Sequence, residues 1–302
     1  MATSGTYSFN PSLGALTQHA FNMCGIRPTA LLQEHMESAR MAANMLLGRW
    51  SAMGVNLWQV ELVSVPLTQS PTILASVSDG TTLTVTYATL NTPIYTIGSS
   101  ITLQGTTSFD GVYTVLNSAP GTLSVANATV GSSIGGTVSS TYPAATYSMN
   151  PNIVVILDCY IRVTSGNSYT DRYIMPISRT EYASFANKLQ IGFPTTYWMD
   201  RLLAPTVTLW PSPDGNEASL NYYCVQQIQD SAYTNGQTVD IPYYFFEAFA
   251  TGLAARLAVI WAPDRAQGLK LLADEAYDIA ARQNVETSNI YISPTLQPYW
   301  RA

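Results

Sequence analysis

Residues 241–261 read IPYYFFEAFATGLAARLAVIW and carry charge only at Glu247 and Arg256. Asp240 is a natural N-cap for this run, and Pro242 fits a first helical turn, where its missing N–H is harmless. Good helix formers follow. A helix apolar nearly all round must be covered on most sides. Its length also suits a bilayer crossing, but Glu247 and Arg256 would then sit in lipid at high cost. The expectation is a central helix, packed by its own subunit and by neighbouring copies, with Phe245 and Phe249 among the packing residues. Pro263 stops it. A second helix is expected over 264–283, with Ala266, Leu269, Ala273, Ala276 and Ala280 at helical spacing.

The cover for such a helix must come from a chain of 302 residues, 47% of them hydrophobic. Charged residues make up 11%, against about 25% in an average soluble protein. With 19 tyrosines, a surface so poor in charge suits permanent subunit contacts. The net charge of −6 and pI near 4.8 argue against a basic nucleic-acid-binding face. They leave room for a protein that surrounds DNA without gripping it. Cys24, Cys159 and Cys224 are scattered and odd in number, and read as buried free thiols of a chain folded in a reducing cytoplasm. The opening MATSGTYSF lacks a basic and an apolar region, so no signal peptide is expected.

Ahead of the central helix, the pattern predicts a short helix over 11–23, ending at Gly25, and an amphipathic helix over 29–50. Leu32, Met36, Ala39, Ala43, Leu46 and Trp50 share one face of the latter. A strand follows over 56–67. From 68 to 143 the only charged residues are Asp79 and Asp110. Short strands are expected at 73–77, 82–87, 100–104, 111–116, 122–125 and 136–138, separated by turn signals such as Asp79-Gly80 and Pro120-Gly121. Strands are then expected at 153–164 and 173–177. A short helix capped by Ser178 follows, and an antiparallel run at 194–200, 206–210 and 218–227. The fold class is α+β: a helical bundle with an antiparallel β subdomain, plus an inserted small all-β domain, Ig-like or barrel. The expected divisions are 1–67 and 144–285 for the core, 68–143 for the insertion, and 286–302 for an extended tail whose apolar groups must dock.

Constellations with chemical potential are few. Gln33-Glu34-His35-Met36-Glu37 is not HExxH, and adjacent helix residues do not face each other, so it reads as a solvated face. Residues 131–136 read as a turn-rich loop rather than a phosphate cradle. The acidic pairs Asp79 with Asp110 and Asp274 with Glu275 admit glycoside chemistry only if geometry allows. Tyr197-Trp198-Met199-Asp200-Arg201 is either a stacking surface for nucleic acid or, with so little basic charge around it, a strand packing its aromatics. No cofactor, metal ligand or catalytic residue is expected, and the chain does not read as an enzyme.

The order of elements resembles the head-to-tail adaptor proteins of short-tailed bacteriophages. The likeness is carried by MLLGRW (45–50) with GVNLW (54–58), ILDCYIR (156–162), PISRTEY (176–182), LAPTVTLWP (203–211), LNYY (220–223) and PYYFFEA (242–248). Within 68–143, GTTSFDGVYTV (105–115) is similar to small β domains inserted in many phage virion proteins. The resemblance implies a structural virion protein at the head–tail junction, made in the host cytoplasm. It implies a ring of about twelve copies under the portal, extending the channel for passing DNA and meeting the tail tube or nozzle. No membrane partner is implied. Tyr291, Ile292, Leu296, Tyr299 and Trp300 are then the portal-docking anchors of the tail, and Leu32, Met36, Leu46, Trp50, Phe245 and Phe249 the subunit or core helix packing residues. The alternative is a carbohydrate-binding or cell-wall-degrading tail component, or a capsid or tail decoration protein.

Overall fold

The computed structural model describes residues 5, 6, 8–54, 56–232 and 236–285. The fold is α+β, with helices and large antiparallel sheets. Two compact units form: Met1–Gln59 with Ile228–Ala302, and Val60–Gln227. The division expected from composition at residue 68 falls inside the second unit. The helices are α1 (Leu13–Cys24), α2 (Gln33–Ala52), α3 (Arg179–Ser184), α4 (Phe246–Trp261) and α5 (Ala266–Gln283), and all but α3 belong to the first unit.

In the helical unit each end has a local cause. Ser12 caps α1 by accepting from the Ala15 N–H at 3.3 Å. Gly25, at φ +87°, closes it in the left-handed conformation. The Gly25 and Ile26 N–H groups then donate to Asn22 and Phe21 carbonyls at 2.9 and 3.0 Å. A 3-10 turn at Pro28–Ala30 delays the second helix, so α2 starts at Gln33 rather than at 29. The solvated reading of His35 is corrected here. His35 is buried, its Nδ1 accepts the Leu32 N–H at 3.1 Å, and its ring stacks on Trp261 at 4.1 Å. The buried stripe of α2 therefore runs His35, Ala39, Ala43, Leu46, Leu47, Trp50, while Leu32 is exposed and Met36 half-buried.

Helix α4 is entered through a 3-10 turn, Tyr243–Phe245, and Asp240 does not cap it. The Asp240 carboxylate instead accepts from Gln59 Nε2 at 2.8 Å. From Ala248 to Leu253 every side chain of α4 is buried, under cover supplied by α1, α2 and α5. Gly252 makes the α2 crossing close: a Cβ there would lie 3.0 Å from Leu46 Cδ2. Trp50 ties three elements together, its ring 5.4 Å from Phe245, 6.3 Å from Phe249 and 5.5 Å from Tyr277. By length and composition the run Tyr243–Trp261 passes as a membrane span, yet most of it is buried within this unit.

The second unit contains α3 and the strands β1 (Val60–Pro66), β2 (Ile73–Asp79), β3 (Thr82–Tyr87), β4 (Pro93–Ile94), β5 (Ser100–Gln104), β6 (Gly111–Ala119), β7 (Thr122–Ala126), β8 (Val130–Ser133), β9 (Thr137–Ser140), β10 (Thr146–Ser148), β11 (Ile153–Ser165), β12 (Ser168–Tyr173), β13 (Met175–Pro176), β14 (Thr196–Asp200), β15 (Thr206–Trp210) and β16 (Ser219–Gln226). A seven-stranded sheet runs β8-β2-β3-β7-β6-β5-β9. It encloses its own core of Leu83, Val85, Ile101, Leu103, Val115, Leu123 and Val125. Strand β6 changes partners from β5 to β7, with a register shift between Val115 and Asn117. A bridge between Thr72 and Thr137 brings β9 back toward the start of β2. The segment 131–136, expected as a loop, begins inside strand β8.

A five-stranded sheet runs β13-β14-β15-β10-β4, and only its β13–β14 pair is parallel. The four-stranded sheet runs β1-β16-β11-β12, antiparallel throughout. The single run expected through 194–227 is thus corrected: β14 and β15 pair, but β16 leaves for the other sheet. Its inner position there pairs both of its edges, with β1 on one side and β11 on the other. One face of this sheet buries Val65, Cys159, Ile161, Leu220, Tyr222 and Cys224. The opposite face carries Leu62, Tyr169, Tyr173 and Tyr223, all exposed. On that face Arg162 makes a bidentate pair with Asp171, both bonds 2.7 Å, and lies 4.1 Å from the Tyr169 ring.

Trp50→Ala is expected to lower the stability of the helical unit by about 3–5 kcal/mol. Denaturant unfolding followed by helical circular dichroism checks this, and a loss under 1 kcal/mol would show that the Trp50 ring is not what joins α2, α4 and α5.

Candidate functional site

The most developed concavity of the helical unit lies among α2, α4 and α5, with a volume of about 420 Å3. Its walls are mostly apolar: Leu46, Trp50 and Met53 from α2, Ala248, Gly252, Ala255 and Val259 from α4, Ala266, Ala273 and Tyr277 from α5. Arg49, Arg256 and Lys270 also line it, with Asp274 as the one carboxylate. The glycine at 252 and the alanines leave the space, because small side chains at a helix crossing vacate what larger ones fill. Among the described residues the only ion pair is Arg162 with Asp171, so no carboxylate pairs with these three cations. Burial, and then the facing Arg49 charge, hold the Arg256 guanidinium below its ordinary pKa. The groove thus sets an apolar floor beside Arg49, Arg256 and Lys270.

Large apolar side chains are also exposed on these helices, among charged residues such as Glu37, Arg40, Glu275 and Asp278. Met41 and Met45 on α2, Val259 and Ile260 on α4, and Leu271, Leu272 and Ile279 on α5 are all exposed. Of the residues expected to pack helices, Leu46 and Trp50 line the groove, Phe245 and Phe249 lie in the core beside Trp50, and Leu32 stands outside that core. Tyr291, Ile292, Leu296, Tyr299 and Trp300 lie outside the described residues. In the sequence Arg256 stands as a charge inside an apolar helix and Arg49 on the polar side of an amphipathic one. What it did not signal is that the two face one another.

The acidic pairs serve other ends. Asp79 accepts from the Thr81 and Thr82 N–H groups at 2.8 and 2.7 Å and from the Thr81 hydroxyl at 2.7 Å. Asp110 accepts from the Gly105 and Thr106 N–H groups and the Thr106 hydroxyl, the last at 2.6 Å. Each carboxylate therefore holds its own turn. Asp274 and Glu275 are exposed neighbours on α5. Among the described residues no three His, Cys, Asp or Glu side chains are grouped so as to hold a metal ion. The three thiols are buried and unpaired. Burial raises all three, Cys224 to about 11, and the Cys24 thiol donates to the Ala254 carbonyl.

The aromatic run at 197–201 packs rather than presents its rings. Tyr197 is buried, Trp198 stacks on Tyr182 at 5.2 Å, and Trp210 stacks on Phe185 at 4.0 Å, which fastens α3 to the five-stranded sheet. A second concavity, of about 490 Å3, is lined by Tyr95, Ser99, Ser100, Ser140 and Tyr142, with Leu189 and Ile191 opposite. The Tyr95 hydroxyl and Ser99 Oγ are buried there without partners among the described residues. The chain matches no protein-family model and no curated protein.

The Asp79 turn has a pH signature. Hydrogen bonds from Thr82 and then Thr81 pull its pKa from 3.8 down to about 2. A depressed carboxylate adds stability that is complete above the unfolded pKa and is lost as pH falls through the folded one. The melting temperature should therefore drop between pH 4 and pH 2, and less steeply in Asp79→Asn. Parallel curves for the two proteins in differential scanning calorimetry would show that this turn plays no part in acid lability.

Proposed function

We propose that this chain is a structural virion protein, a head-to-tail adaptor whose copies form a ring between portal and tail and extend the DNA channel. The observation that carries the reading is a set of large apolar side chains exposed on α2, α4 and α5, among them Val259 at 67%, Leu271 at 66% and Met45 at 57%, standing between charged residues. Three packed helices that show large apolar side chains to water are made to be covered. The sequence likeness to short-tailed phage adaptors, set out on its motifs above, says by what. Copies of the chain bury these surfaces against each other, and the groove of Arg49, Arg256 and Lys270 takes an acidic, apolar segment of the neighbouring copy.

In this reading the helical unit is the bundle that builds the ring. Residues 68–143 are an inserted domain that points outward to capsid or tail components. The bridge from Thr72 to Thr137 favours a small barrel over an Ig-like sandwich for it. The low charge lets the channel wall face DNA without holding it, since net negative surface repels phosphates. The anchors at 291–300 reach the portal.

One observation favours a second reading. The concavity at Tyr95 and Tyr142 offers hydroxyls and aromatic rings with no charge in its lining, a surface suited to a neutral saccharide. In that case the chain is a carbohydrate-binding tail component. Titration calorimetry with host-envelope glycans decides it: binding abolished by Tyr142→Ala supports this second role, and no heat with any glycan removes it.

The adaptor reading is tested by electron microscopy of the protein with the portal ring of its particle. Added ring density below the portal is the expected result, and separate monomers beside bare portals would sink the reading. Arg49→Glu should leave thermal stability equal or higher, because it supplies Arg256 with a carboxylate, while reducing ring assembly. Removing residues 291–302 should abolish portal attachment without lowering the melting temperature.

A further inference from the structure

The four-stranded sheet ends in two open edges. Strand β1 forms one and β12 the other, and no strand or bridge among the described residues pairs with either outer edge. Natural proteins blunt such edges with proline, with very short strands or with a covering loop. Strand β12 has no proline and holds six residues, Ser-Tyr-Thr-Asp-Arg-Tyr, exposed at every position; charge also blunts an edge, but of its two charges Asp171 is paired within its own chain and Arg172 finds its complement in Glu61 of β1. In β1 the single proline is the last residue, Pro66.

We propose that these edges join between copies of the chain, β12 of one lying beside β1 of the next, so that the sheet continues from subunit to subunit. This rests on the self-association in the adaptor reading and adds which strands make it. Strand direction permits it. The four strands alternate, so β12 runs opposite to β1, and a second β1 set beside β12 keeps the alternation without a parallel pair. The contact is heterologous, two different edges meeting, and repeated contacts of that kind close into rings when the rotation from copy to copy divides a full turn, and run on as filaments when it does not.

The side chains select one register. Each face of the sheet must stay on its own side, since a slip of one residue turns every side chain over. Asp171 is already satisfied by Arg162 within its own chain. Among the described residues Arg172, on the opposite face of β12, has no carboxylate partner and lies 5.0 Å from the Phe193 ring. In β1, Glu61 has a hydrogen bond from Gln226 and, among the described residues, no cation. Setting Arg172 opposite Glu61 preserves both faces. It also places all six residues of β12 against 60–65 and leaves Pro66, which has no N–H to donate, outside the new ladder. Tyr169 then faces Ser64, and Tyr173 faces Val60. The neighbour's Leu62, exposed in the single chain, comes between Tyr169 and Tyr173.

Cysteines at 64 and 169 test this in the full chain. Within one chain β1 and β12 stand three strand spacings apart, roughly 14 Å, well beyond the reach of about 7 Å for a disulfide. The native thiols are buried, so any cross-link joins two copies. Ser64→Cys/Tyr169→Cys is oxidised across a concentration series, alone and with the portal ring, while assembly is followed by light scattering. Assembly with a ladder of disulfide-linked chains is the expected result. Assembly without cross-links overturns the edge pairing and leaves the ring reading standing. Monomers throughout, with no cross-link, overturn both. In the same background Arg172→Glu should reduce the ladder several-fold and Glu61→Arg with Arg172→Glu should restore it, a rescue that a merely structural Arg172 would not give.

Discussion

A helix with almost no polar side has to be surrounded, and α4 sets that demand for everything in its unit. α1 crosses it, α2 approaches closely enough at Gly252 for Leu46 to touch the backbone, and α5 packs back on it immediately after the turn at Pro263. The remaining contacts follow from holding those helices in place. Trp50 fills the corner where α2, the entry turn of α4 and α5 meet. His35 is drawn inward to stack on the last aromatic residue of α4. Even the thiol of Cys24 is placed by α4, as a donor to the Ala254 carbonyl. The partner helices in turn leave Met45, Leu271 and Ile279 exposed, and in the proposed ring neighbouring copies cover such side chains.

The β unit is built on different means. Its seven-stranded sheet has a core of medium-sized aliphatic residues, and its turns are held by carboxylates and hydroxyls close in sequence. Such local bonds fix where a strand begins without asking anything of distant residues. The four-stranded sheet depends instead on β16, a strand distant in sequence from both neighbours, β1 and β11. One part of the unit is therefore specified by nearby residues and the other by long-range pairing.

That contrast explains what was readable in the chain. β3 and β5 lie where alternation put them, because each has one buried and one open face and the pattern writes this down. Strands β8 and β12 left no such mark. Val-Gly-Ser-Ser and Ser-Tyr-Thr-Asp-Arg-Tyr are edge strands, open enough that nothing forces an apolar residue at every second position. The face of α2 was legible from Ala39 to Trp50. It was misread at its start, where a histidine took the inward place expected of Leu32 and Met36. Of the groove, Leu46 and Trp50 were foreseen as packing residues. The meeting of Arg49 with Arg256 was not, since two residues on different helices become neighbours only through the crossing geometry.

Among the described residues one ion pair, Arg162 with Asp171, is present, and each side chain is 33% exposed. Cohesion among these residues therefore comes from apolar contact and from hydrogen bonds rather than from ion pairs. Dissolved salt hardly touches either. Raising ionic strength shortens the reach of charges from about 30 Å at 0.01 M to about 10 Å at 0.1 M, and here there is little for that screening to weaken. Where charge screening acts on the described residues, it acts on the Arg162–Asp171 pair and on the cations of the groove rather than on the core.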